Sequence, residues 1–149
     1  VEGRDGKEDG MNFRFSKLSE YRLQKVDPVM VKLARLMIKR TPVDFGIAWL
    51  GGFRTAEEQN GRFKEGFSSK DGYVKRSKHQ DGLALDFLPY INGRPVPKNQ
   101  KHYLIIIGVA FACADELGIK IRSGSNWDMD GEFITDQEFD DYPHIERIV

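Results

Sequence analysis

The spacing of apolar positions divides the chain into helix-like and strand-like segments. Met30, Leu33, Ala34 and Met37 recur at helical spacing behind Asp27-Pro28, an N-cap followed by a first-turn proline, and the run stops at Thr41-Pro42. That pattern predicts a helix with one buried face. The stretch FGIAWLGGF, 45–53, is a short apolar run closed by two glycines and fits a core strand, although periodicity alone does not separate it from a helical piece. Thr55 and Glu58 stand at capping-box spacing and predict a helix that ends near Gly66. Leu83, Leu85 and Phe87 alternate with Ala84, Asp86 and Leu88, which predicts a strand with Ala84 and Asp86 on one face, and Asn92-Gly93 behind it is a hairpin signal. Between Lys98 and Gly118, the residues Leu104, Ile105, Val109, Cys113 and Leu117 fall at helical intervals, and 119–122 reads as another strand. In the closing DYPHIERIV, Pro143 forbids a helix interior, so His144 and Glu146 share one face of a terminal strand. Segment 67–78 is polar and glycine-bearing and reads as a mobile loop. No internal repeat is present, and the mixture predicts an α+β fold: a small antiparallel sheet with helices packed on one side.

Composition narrows the picture. A chain of 149 residues with 40% apolar content is the size of one compact domain. The first ten residues, VEGRDGKEDG, show no apolar periodicity and read as a tag remnant or flexible tail, which leaves 11–149 as a single domain. Lys+Arg and Asp+Glu are equal at 23 each, so the electrostatic footprint of a nucleic-acid or anionic-membrane binder is missing. The single cysteine, Cys113, sits on an apolar helix face and excludes an intrachain disulfide. The apolar run 104–114 is too short to span a bilayer and no charged-then-apolar leader opens the chain, so synthesis in the cytoplasm without a signal peptide is expected.

The chemistry gathers in SKHQDGLALDF, 77–87. His79 and Asp86 are seven residues apart; on one helix they would be separated by about 10 Å and on one strand by about 23 Å, too far to share an atom. A turn at Gly82 would bring them together. Zinc takes nitrogen and oxygen ligands, and a catalytic site uses three of them and keeps a fourth position for water. His144, on a strand able to pair beside 83–88, is the natural third. Asp141 is placed to move a proton on the open side, with Glu146 the competing candidate. Each residue alone also has a plain reading: a surface loop histidine, a strand-end acid and a half-buried terminal histidine. His102, at a helix start with no acidic neighbour, is assigned a structural or solvent-facing role. Asn126, Asp128, Asp130 and Glu132 cluster around Gly131, with Asp136 beyond, and suggest a second, harder cation such as calcium acting as a regulator; a solvated acidic loop is the alternative.

The pattern Ser77-x-His79-x-x-Gly82-x-Ala84-x-Asp86, followed by Asp141-x-x-His144-x-Glu146, resembles peptidase family M15, the zinc D-Ala-D-Ala carboxypeptidases and L-alanyl-D-glutamate endopeptidases. The likeness runs from Val26 onward, includes GGFRTAEEQ, and is strongest to the phage endolysins. The resemblance implies the hedgehog-like peptidase fold with zinc in a cleft over the sheet, His79, Asp86 and His144 as ligands, Asp141 as catalytic acid/base, and Arg54 at the substrate or oxyanion. Gln59, Ser77 and Trp127 are the accompanying substrate-side candidates, with a hydrogen bond from Ser77 to its own backbone as the other reading of that residue. Arg122-Ser123-Gly124-Ser125-Asn126-Trp127 keeps only Trp127 of the family's tryptophan- and glycine-rich segment, and Asp141-Tyr142-Pro143 favours the endopeptidase branch. The implied partner is the peptidoglycan stem peptide, met by a monomer released through a holin-type pore. The alternatives are a D,D-carboxypeptidase and a catalytically silent, zinc-containing wall-binding module.

Overall fold

The alternation along 83–88 becomes the central strand of the computed structural model, which describes residues 12–124 and 141–149. In chain order the elements are α1 (Lys17–Arg22), α2 (Pro28–Arg40), β1 (Asp44–Ile47), α3 (Ala56–Lys64), β2 (Ala84–Ile91), β3 (Arg94–Pro95), α4 (Gln100–Leu117), β4 (Ile121–Gly124) and β5 (Asp141–Arg147), with a 3₁₀ turn at Lys78–Asp81. The sheet is antiparallel, in the order β1-β2-β5-β4, with the short β3 hairpinned onto β2. Asn92 and Gly93, both at positive φ (51° and 79°), make that hairpin turn.

Because side chains alternate across a strand, the sheet has two unlike faces. Leu85 and Phe87 of β2, Ile145 of β5, Ile121 of β4 and Phe45 and Ile47 of β1 point into one apolar core. There they meet Met30, Leu33, Ala34 and Met37 of α2 and Ile106, Ala110, Cys113 and Ala114 of α4. Asp86, His144 and Glu146 point to the other face. Register fixes this: Asp86 lies directly opposite His144, and Leu85 opposite Ile145. A slip of one residue would exchange the two sets.

Three segments differ from expectation. The 45–53 run is strand only to Ile47; the chain then turns, closed by the Gly51 N–H on the Ala48 carbonyl (2.8 Å) with Leu50 at φ 54°, and so carries Gly51 back against β2. Strand β4 begins at Ile121 rather than 119, because the Ile119 N–H is still used by the end of α4, donating to the Ala114 carbonyl at 2.8 Å. The short α1 was not foreseen; Ser16 caps it, and the Ser19 hydroxyl accepts from the Ile47 N–H at 3.0 Å, tying it to β1. Segment 67–78, expected to be mobile, is tied down. Asp71 accepts three backbone N–H bonds from Tyr73, Val74 and Lys75, and Gln59, Asn60 and Gln80 donate to the carbonyls of Lys70, Asp71 and Gly72. The expectation for residues 1–10 lies outside the described residues. No helix among the described residues is long and apolar enough to cross a membrane.

Candidate metal centre

His79 reaches the sheet through local chain geometry. Ser77 caps the 3₁₀ turn, its hydroxyl accepting from the His79 N–H at 3.2 Å, and Gln80 closes the reciprocal bond to the Ser77 N–H at 2.9 Å. The turn ends at Gly82, φ 71°, a left-handed position where a Cβ would also stand 2.9 Å from the Lys25 carbonyl oxygen. The next residues enter β2. His79 and Asp86 therefore sit at either end of one reversal, with the Gly51–Gly52 backbone beneath both: the Gly52 carbonyl accepts from His79 Nδ1 at 2.8 Å and the Gly51 carbonyl from the Asp86 N–H at 2.8 Å.

His79, Asp86 and His144 present ligand atoms that all lie within 4.8 Å of one another. Asp86 Oδ1 is 3.3 Å from His79 Nε2 and 3.0 Å from His144 Nδ1. The His79 hydrogen bond to Gly52 places its proton on Nδ1, so Nε2 carries a bare lone pair. Burial disfavours the imidazolium and lowers the His79 pKa, so the ring stays neutral. Its Nε2 is buried with no hydrogen-bond partner, facing a carboxylate oxygen that is also an acceptor. Two acceptors converging this way fit a cation between them. For His144, burial alone would lower the pKa, but its bonds to Asp86 and to Glu146 Oε1 (Nε2 donating, 2.8 Å) win and raise it to about 9. Burial also opposes the charge on Asp86, yet the two facing imidazoles hold its pKa well below the usual carboxylate range.

Asp141 stands at the mouth, its Oδ2 4.0 Å from His144 Nδ1. Burial first, and then the Asp86 charge, push its pKa up to about 6. Around these groups lies a cleft of about 980 Å³, walled by Trp49, Phe67, Arg62, Tyr103 and Pro143 among others.

Several candidates take positions unlike those expected. Arg54 is 5% exposed; its Nε donates to the Leu50 carbonyl (2.6 Å), one terminal nitrogen to Gln59 Oε1 (2.9 Å) and the other to Asp86 Oδ2 (3.0 Å). Its guanidinium orients the acid, leaving Asp86 Oδ1 to the histidines. Gln59 is wholly buried, and its Nε2 is used by Ser68 Oγ and the Lys70 carbonyl, both at 2.9 Å, so it braces Arg54 and does not reach substrate. Ser77 is a cap, the backbone role that was its other reading. Glu146, the competing base, is committed to His144 on one oxygen and to Arg122 on the other (2.7 Å), and these hold its pKa down at about 2 against its burial. Such a weak base orients the ring and does not shuttle protons. The His102 backbone N–H donates to the Asn99 side-chain oxygen that caps α4. Trp127, Asn126, Asp128, Asp130, Glu132 and Asp136 lie outside the described residues.

A carboxylate and two imidazoles converge at one point that could hold a metal ion, with the carboxyl of Asp141 beside them and a cleft above. The chain belongs to the phage L-alanyl-D-glutamate peptidase family, whose pattern it matches over residues 11–148. It is 38% identical over 125 residues to the L-alanyl-D-glutamate peptidase of Escherichia phage T5, covering 83% of this chain and 88% of that protein. The crystal structure of the L-Ala D-Glu endopeptidase ChiX of Serratia marcescens superposes with a TM-score of 0.74 at 26% identity, over 92% of this chain and 91% of that one.

Proposed function

We propose that this chain is a zinc endopeptidase that hydrolyses the L-Ala–D-Glu bond of peptidoglycan stem peptides. The observation that carries the reading is the unpartnered His79 Nε2, buried among the ligand atoms of Asp86 and His144. His79 Nε2, Asp86 Oδ1 and His144 Nδ1 would hold the ion, and imidazole and carboxylate together suit zinc. Zinc held there supplies Lewis acidity to the scissile carbonyl and to water.

The chain's own residues do the rest. Asp141, with a pKa near 6, is ionised at neutral pH; it takes the proton of the attacking water and returns it to the leaving nitrogen of D-glutamate. Arg54 keeps Asp86 oriented. Glu146 accepts the Nε2 proton of His144, so that Nδ1, once it gives up the proton it shares with Asp86, would act as a ligand. Mass spectrometry of digested muropeptides tests the reading: new ends at L-Ala and D-Glu are expected. Loss of terminal D-Ala alone would make the chain a D,D-carboxypeptidase, and no cleavage would make it a wall-binding module.

A further inference from the structure

Four arginines line the cleft, and three are spent on carboxylates: Arg54 on Asp86, Arg76 on Asp81 and Arg122 on Glu146. Arg62, in the last turn of α3, has no carboxylate partner among the described residues, and its buried Nε donates to nothing. Its guanidinium is set between two aromatic rings, 4.9 Å from the centroid of Phe67 and 6.0 Å from that of Trp49. Local chain chemistry makes this clamp. Gly66 takes φ 85° and its N–H bonds the Phe63 carbonyl (3.0 Å), while the Phe67 N–H bonds the Arg62 carbonyl (2.9 Å). That helix-ending motif folds Phe67 back beside Arg62. Trp49 and Phe67 are 62% and 65% exposed and belong to no core cluster. Two rings lying against a guanidinium restrict its orientation, as in a receptor for a planar anion. Arg62 is also close enough to act on the metal centre: its charge helps to ionise Asp141 and opposes the charge on Arg54.

We propose that Arg62, clamped between Trp49 and Phe67, is the carboxylate-recognising residue of the cleft, and that it takes the free carboxylate of the D-glutamyl residue beside the scissile bond. The inference rests on the proposed reaction. A glutamate acylated on its amine and joined to the next residue through one carboxyl keeps the other, and a guanidinium fork matches its two oxygens. Arg54, the residue the sequence suggested for this duty, is held by Asp86, Gln59 and the Leu50 carbonyl.

The test compares two synthetic stem peptides that differ only at that carboxyl, one a free acid and one a primary amide, as substrates of the zinc-loaded enzyme. The wild type is expected to prefer the acid by about 10- to 100-fold in kcat/KM, chiefly through KM. In Arg62→Gln the acid-to-amide ratio falls toward one, and in Trp49→Ala/Phe67→Ala it falls part of the way. Equal cleavage of both peptides by the wild type overturns the inference, and that result needs no variant to fold. A ratio unchanged in Arg62→Gln overturns it as well. Cleavage of neither peptide by the wild type overturns the proposed reaction itself, and the inference with it.

Discussion

Leu85 and Phe87 turn into hydrocarbon on one side of β2, whereas Asp86 between them turns toward two imidazoles and a guanidinium on the other. On the core side Leu85 and Phe87 belong to one apolar cluster, and fit is a matter of volume, settled once α2 and α4 cover the sheet. On the opposite side the groups are only partly satisfied by one another: Arg54 and Glu146 complete their partners, while His79 Nε2 and Asp86 Oδ1 remain two acceptors facing each other. The comparison teaches that the strand separates two jobs by parity alone. Stability is concentrated on the odd-numbered face, and the even-numbered face keeps an electrostatic deficit that a cation would fill.

The sharpest way to break this division is at the proton carrier. Asp141→Asn should lower kcat by about 10²- to 10⁴-fold while metal content and melting temperature hold, since a general base is lost and no ligand is; undiminished turnover would remove Asp141 from the mechanism. The pH profile sharpens the point. A base works ionised, so activity should rise with pH through the Asp141 pKa; that value is about 6 without a cation, and the charge of a bound cation shifts the acid limb lower. Next in size, Glu146→Gln should weaken zinc affinity by about 10- to 100-fold, measured by competition with a chelator, because His144 loses the carboxylate that sustains its basicity. Smallest in its effect on the chemistry is Leu85→Ala. It should destabilise the fold by about 2–5 kcal/mol in denaturant unfolding, yet leave zinc stoichiometry in the folded fraction unchanged.

Sequence made some of this legible and hid the rest for physical reasons. The alternation of 83–88 showed that Asp86 leaves the core face, and Pro143 made 141–149 extended, so His144 and Glu146 were seen to share a face. Gly82 marked the reversal that sets His79 against Asp86, because only a left-handed turn brings them within reach. Arg54 and Gln59 were harder: a guanidinium two residues beyond Gly51-Gly52 reads equally as a substrate arm or a plain surface arginine, and only tertiary placement shows it donating inward. The isolation of Arg62 was invisible, since an arginine without a partner is defined by the other three finding theirs. Helix α1 is six residues long, too short for a periodic signal, and depends on Ser19 bonding to β1.

The central claim, that His79, Asp86 and His144 form one metal centre, is tested most directly by zinc stoichiometry after exhaustive dialysis of the wild type and of His79→Ala, Asp86→Ala and His144→Ala, each checked for folding by circular dichroism. The account predicts about one zinc per wild-type chain and a large loss in all three folded variants. A wild type that retains no zinc, or folded variants that retain as much as the wild type, would contradict it.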